Sequence, residues 1–183
     1  MRRFLTRHPS SRCFAAAKIE VEIARPSAEG LVLTYTVTGK TSDILIPPVT
    51  TAVRSDELWR HTCFEAFVRV PSVAEYYEFN FAPSSEWAAY RFTSYRTGCV
   101  AAEIPTVQIE VQSSADTYAL QASLGLGGLS GLPASTLWRL GLSAVIEDTS
   151  GRKSYWALAH PPGTPDFHHA DCFAHELSAS MYS

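Results

Sequence analysis

The chain is poor in charge. Only 18% of its 183 residues are Asp, Glu, Lys or Arg, and their balance is −3 at neutral pH. A nucleic-acid binder should show a basic stripe, and none is present. No apolar run approaches the roughly 18 residues that cross a bilayer as a helix. The opening Met1-Arg2-Arg3-Phe4-Leu5-Thr6-Arg7-His8-Pro9 is interrupted too early for a secretory signal, although an Arg-rich, acid-free start also fits a short transit peptide. Cys13, Cys63, Cys99 and Cys172 are far apart and form no CxxC pair, which excludes a zinc ribbon or a thioredoxin-type dithiol. Free thiols in a reducing compartment, and hence a cytoplasmic location, are the expectation. Walker, HExxH and GxSxG sequences are missing. Gly125-Leu126-Gly127-Gly128-Leu129-Ser130 fails GxGxxG at its last position and lies in no βαβ pattern. No segment reads as an amphipathic helix.

What is present is apolar and aromatic. Hydrophobic residues make up 46% and aromatic ones 11%, with eight Tyr and four Trp, which suits one folded domain rich in strands. Residues 1–17 read as a basic arm and residues 18–183 as a single domain. Lys18 to Ala24 alternates Ile19, Val21, Ile23 against Lys18, Glu20, Glu22, a half-buried strand, and Leu31 to Thr38 reads as its partner. Ile44-Leu45-Ile46 before Pro47-Pro48 reads as a short edge strand, and residues 47–62 as a long loop. Hairpins follow at Val107–Val111 with Thr117–Gly125 and at Leu137–Asp148 with Arg152–His160. Cys172–Leu177 closes the chain as a short strand or a helical turn. Nine or ten strands at short spacing predict an all-β, antiparallel β-sandwich, with a jelly-roll connection.

Residues 58–96 organise the rest. Cys63–Val70, Glu75–Ala82 and Glu86–Tyr95 each alternate with period two. Phe64, Ala66, Val68 and Val70, then Tyr77, Phe79 and Phe81, then Ala88, Tyr90 and Phe92, are predicted to face the core. Keeping those faces together sets Glu65 opposite Asn80 and Glu78 opposite Arg91. Glu65, Glu78, Asn80 and Arg91 then share one face, edged by Trp59, Tyr76 and Trp87. Such a face suits a sugar: flat aromatics take the apolar side of a pyranose, and planar carboxylate, amide and guanidinium groups take its hydroxyls in pairs. It equally suits a solvated outer face with cross-strand ion pairs.

Glu65 and Glu78 also fit the spacing of a glycosidase carboxylate pair. Arg91 beside Glu78 would lower its pKa, the wrong direction for a general acid, so binding ranks above hydrolysis. The stretch Pro165-Asp166-Phe167-His168-His169-Ala170-Asp171 concentrates metal-ligand types, with His160 and His175 nearby. The same groups serve equally as loop and turn hydrogen-bond partners, and no metal or cofactor is assigned. Pro161, Pro162 and Pro165 stiffen this segment, which is expected to fold toward residues 59–61 and wall the site with Asp166, His168 and His169.

Leu58-Trp59-x-x-x-Cys63-Phe64-Glu65-x-Phe67, Tyr77-x-Phe79-Asn80-Phe81-x-Pro83, Trp87 and Pro165-Asp166-Phe167-His168-x-x-x-x-Phe173 together resemble the DOMON-like and family 9 carbohydrate-binding β-sandwich superfamily. The resemblance runs from Lys18 onward and is nearest to bacterial DOMON-like proteins. It implies a sugar site lined by a Trp and a Glu six residues later, matched by Trp59 and Glu65, and by an Arg on a following strand, matched by Arg91 or less well by Arg96. Such relatives clamp the sugar with an amide and a second Trp from a late loop. This chain offers Asp166 and Phe167 or His169 there. Haem-binding relatives use Met and His ligands, whereas the methionines here are Met1 and Met181. The reading is therefore a non-enzymatic module for a saccharide or similar polyhydroxylated small molecule, with no nucleic-acid or membrane partner. The alternatives are a glycoside hydrolase using Glu65 and Glu78, or a structural or interaction domain.

Overall fold

Alternating apolar residues leave the chain one economical solution, strands whose apolar sides meet. A computed structural model of the protein describes residues 1–179; Met181 lies outside the described residues. The described chain forms β1 (Arg2–Arg7), β2 (Ala16–Ala24), β3 (Gly30–Gly39), β4 (Cys63–Arg69), β5 (Tyr76–Phe81) and β6 (Trp87–Phe92). These are followed by β7 (Val100–Ala101), β8 (Thr106–Ser113), β9 (Thr117–Gly125), β10 (Trp138–Glu147), β11 (Lys153–Ala157) and β12 (His175–Leu177). Every strand pair is antiparallel. The order is β7-β6-β5-β4-β10-β11-β1-β2-β3-β9-β8, with β12 beside β10.

This sheet curls into an antiparallel β-sandwich. The inner sides of β2, β3 and β9 (Ile19, Val21, Leu33, Tyr35, Leu120) meet those of β4, β5 and β10 (Phe64, Ala66, Phe79, Leu140) in one core. Tyr35 spans it, its hydroxyl donating to the Glu65 carbonyl at 2.7 Å. That bond satisfies a buried phenol and fixes β4 against the opposite layer.

Two sequence readings need correction. Residues 1–17, a basic arm expected to be poorly ordered or laid along a sheet edge, carry a strand with a neighbour on each side. Arg2–Leu5 pair with β2, and Thr6 and Arg7 pair with β11, so β1 lies inside the sheet path. Its basic residues read as a tail because their partners lie on another strand: Arg2 forms ion pairs with Glu20 and Glu22. Leu5 alone points inward. Ile44–Ile46 is not a strand either. A 3-10 turn at Thr41–Asp43 precedes a single bridge from Ile44 to Asp148.

The register of the central meander is half as expected. Glu65 does face Asn80, because Phe64, Ala66 and Val68 keep company with Phe81, Phe79 and Tyr77. The next pairing differs by one residue: Glu78 faces Tyr90, and Arg91 faces Tyr77. The reason is that β6 is apolar on both sides. Trp87 and Ala89 join the core, while Ala88, Tyr90 and Phe92 turn to the outer face and pack with Tyr76, Phe67 and Cys63. The turn between β5 and β6, with Ser85 in the left-handed region (φ 75°), sets that parity.

Candidate functional site

The floor of the site is the outer face of β4, β5 and β10. Period two aims Glu65 and Phe67 of β4, and Tyr76, Glu78 and Asn80 of β5, to this side. All five are buried. Ser143 of β10, opposite Glu65 in the ladder, donates to Glu65 Oε2 at 3.1 Å. Asn80 Nδ2 donates to Glu78 Oε1 at 2.8 Å. The face is not a solvated one, because three loops cover it.

The first loop, residues 54–61, carries a 3-10 turn at Leu58–Arg60, entered by Glu57 in the left-handed conformation. It sets Trp59 half-exposed, with the Arg60 guanidinium 5.6 Å from the ring centre. Asp56 on this loop accepts from the Tyr90 hydroxyl at 2.6 Å and from Arg54 at 2.9 Å. The second loop turns at Arg96 (φ 51°), whose guanidinium donates to Asp166 Oδ1 at 2.8 Å. Tyr95 donates to the other oxygen of Asp166. The third, residues 161–174, is anchored by buried Phe167 and Phe173 and by the Cys172 thiol, which donates to the carbonyls of Ala159 and Asp166.

Between them lies a cavity of about 630 Å³. Glu65 and Glu78 form its base. Trp59, Tyr90, Phe92, Tyr155 and Phe167 supply aromatic walls, and Arg96, His168 and Lys153 the polar ones. The size lies within the roughly 300–1,000 Å³ usual for small-molecule sites.

The electrostatics follow from burial. Loss of water pushes Glu65 well above the ordinary carboxylate range, and the neighbouring Glu78 adds to the shift. Glu78 is raised by burial as well, against the opposing hydrogen bond from Asn80. His168 is pushed down to about 4, by burial first and then by the Arg96 charge, so it is neutral at pH 7. Its tautomer follows from its partners. The Tyr76 hydroxyl accepts from the Arg96 backbone N–H at 3.2 Å, which leaves its own proton for His168 Nδ1 at 2.8 Å. The imidazole proton then sits on Nε2, 3.7 Å from Glu78 Oε2. Burial alone would raise Asp166, but hydrogen bonds from Tyr95 and Arg96 hold it below the usual range.

Of the residues singled out in the sequence, Trp59, Glu65, Glu78 and His168 line one cavity, with Asn80 bonded to Glu78 beneath it. The 165–171 segment does fold to the same end as Trp59. Asp166 stands behind Arg96 as its counter-ion. Two residues fall outside. Arg91 points to the core side of β6 and donates through Nε to Glu75 at 2.8 Å. His169 faces a neighbouring surface beside Tyr95 and Arg69. The arginine in the cavity wall is Arg96, which strand periodicity could not single out because it sits in a turn. Tyr90 and Phe92, which alternation alone assigns to the core, line the cavity instead. Lys153 and Tyr155 carry a legible sign, since they alternate with buried Ser154 on β11. Among the described residues no cluster of three or more His, Cys, Asp or Glu side chains has a metal-holding arrangement.

No protein-family model matches the chain, and no curated protein sequence does. Its fold is similar to solved structures. A candidate carbohydrate-binding protein from Bacteroides uniformis superposes with a TM-score of 0.65 at 11% identity, covering 93% of this chain and 83% of that one. A family 9 carbohydrate-binding module from Caldicellulosiruptor kristjanssonii, in complex with cellotriose, superposes with a TM-score of 0.50 at 13% identity, covering 87% and 74%. At these identities the likeness establishes a shared β-sandwich fold.

Proposed function

We propose that the chain is a non-enzymatic binding module whose cavity takes a saccharide or similar polyhydroxylated ligand. One observation carries the reading: half-exposed Trp59 and the aromatic walls face a buried floor of planar, hydrogen-bonding side chains within one cavity. A pyranose has that same division into an apolar face and an equatorial rim of hydroxyls, and planar groups on a rigid sheet meet the rim without paying much ordering entropy. The fold shared with carbohydrate-binding proteins supports the reading. Titration calorimetry of the intact protein against neutral and acidic mono- and oligosaccharides tests it. Measurable binding that disappears in Trp59→Ala is expected; a blank across the panel overturns it.

A second reading, a glycoside hydrolase using Glu65 and Glu78, draws on a different observation. Neither carboxyl is bonded to an arginine among the described residues, so the objection from Arg91 no longer applies. Both carboxyls rise from the floor on one side of the cavity, however, whereas glycosidase carboxylates flank the scissile bond. A bell-shaped pH–rate profile on aryl glycosides, lost in Glu65→Gln, would favour this reading; no turnover leaves binding alone.

A further inference from the structure

Asp56, Glu57 and Arg96, on the loops at the rim of the cavity, each have a counter-ion nearby. Asp56 has Arg54 at 2.9 Å, Glu57 has Arg60 at 2.6 Å, and Arg96 has Asp166 at 2.8 Å. The floor does not follow this pattern. Glu65 is 3% exposed and Glu78 6%. Among the described residues, each carboxyl receives one hydrogen bond from a neutral donor, Ser143 or Asn80, and each keeps a second oxygen without one. The neutral His168 imidazole lies 3.7 Å from Glu78 Oε2, beyond hydrogen-bond distance. Lys153, in the wall, has no carboxylate within ion-pair distance among the described residues, so it is not the missing partner.

Two buried carboxyls without a cation are costly when ionised. The pair can avoid that cost by keeping a proton, the direction in which burial pushes both carboxyls. A ligand can avoid it by bringing the positive charge. The walls also suit a cation, because Trp59, Tyr90, Tyr155 and Phe92 present π-faces and edges at the same cavity.

We propose that the floor is an ammonium subsite and that the ligand is an amino sugar, its primary amine donating to the free oxygens of Glu65 and Glu78. The inference rests on the saccharide reading for the remainder of the ligand. A primary ammonium fits better than a quaternary one, because carboxylate lone pairs call for N–H donors. The proton count closes simply: the ammonium enters already charged, the carboxyl pair gives up its proton, and the proton passes to the buffer. The other groups around the pair are His168, Arg96, Lys153 and Tyr90 in the cavity lining, Tyr76 beside His168 and, beneath Glu65, Tyr35 and Cys63. His168 and the phenols and thiol are neutral at the working pH, and Arg96 stays charged throughout.

Calorimetry at about pH 6.5 with glucosamine, glucose, N-acetylglucosamine and methylammonium tests this, run in two buffers of different ionisation enthalpy. Glucosamine should bind about tenfold or more tightly than glucose, the gain of charge-assisted over neutral hydrogen bonds. Its apparent enthalpy should change with the buffer, reporting proton release. N-Acetylation removes the charge and should remove the advantage. In Glu78→Gln and in Glu65→Gln, each checked for folding by circular dichroism, the glucosamine-to-glucose affinity ratio should fall toward one. Equal, Trp59-dependent affinity for glucose and glucosamine overturns the ammonium subsite and leaves the saccharide reading standing. Methylammonium binding as tightly as glucosamine, insensitive to Trp59→Ala, does the reverse. No binding by any of the four overturns both.

Discussion

Replacing Glu65 by Gln should make the protein more stable at neutral pH than the wild type, by an amount that grows with pH. Gln keeps the shape and the hydrogen bond from Ser143 but cannot ionise. In the wild type the folded carboxyl holds its proton to higher pH than the unfolded one, whose value is near 4.5. Above that value the unfolded chain therefore binds fewer protons than the folded chain, and stability falls as pH rises, levelling off once the folded carboxyl has also ionised. Each pH unit inside the window costs about 1.4 kcal/mol. Two such units, from pH 5 to pH 7, cost about 3 kcal/mol, or roughly 6–12 °C in melting temperature for a chain of this length. His168 has the opposite sign. Its folded value of about 4 lies below the ordinary 6.5, so its contribution to stability is lost as pH falls through that interval and regained as pH rises. The raw wild-type curve mixes the two, and the informative quantity is the difference in melting temperature between Glu65→Gln and wild type across pH 5–8, without ligand. It should climb with pH. Parallel curves would show that Glu65 ionises in the folded protein as it does in the unfolded one, and would falsify the account of the floor given above.

Three further outcomes follow from the geometry. Trp59→Ala should abolish saccharide binding while shifting the melting temperature by no more than a few degrees, since the ring is half-exposed and stacks with the exposed Arg60 guanidinium; isothermal titration and differential scanning calorimetry read the two effects. Arg91→Ala should leave ligand affinity within about twofold and the melting temperature close to that of the wild type, as loss of a solvent-screened ion pair does, whereas Arg96→Ala should weaken binding at least about tenfold by removing a wall and unpairing Asp166. Deleting residues 1–7 should abolish cooperative thermal unfolding and near-ultraviolet dichroism, because β1 is the strand shared by β2 and β11; a sharp transition near the wild-type temperature would contradict its place in the sheet.

How much of this was legible depends on how much each strand's two faces differ. On β2 and β3 the inward residues are chiefly Ile, Val, Leu and Tyr and the outward ones chiefly Glu, Lys and Thr, with Val32 an exception, so pattern and structure coincide. On β4 and β5 a carboxylate or amide marks the outer side, and Glu65 opposite Asn80 could be read directly. On β6, Ala88-Tyr90-Phe92 and Trp87-Ala89 are both apolar, and parity passed to a turn whose conformation the residue types did not fix. That one-residue difference removed Arg91 from the site. Its replacement, Arg96, comes from a turn, where side-chain direction follows backbone dihedrals and has no period to read. The late loop was legible because three prolines leave a polar segment few places to go. The weakened acidity of the floor was not, because it depends on three separate loops covering Glu65 and Glu78.

The position of β1 also has a kinetic side. Thr6 lies opposite Ala157, so the join between the two halves of the sheet has to wait for a partner about 150 residues further along the chain. Until that strand is available, β2 and β11 each present an open edge, and the loop to be closed is nearly the whole chain. Pairings of such long sequence separation are slow to form, and unpaired edges in the interval are the surfaces on which partly folded chains stick to one another. Refolding yield should therefore depend more steeply on protein concentration than on temperature, with the first strand the last to find its place.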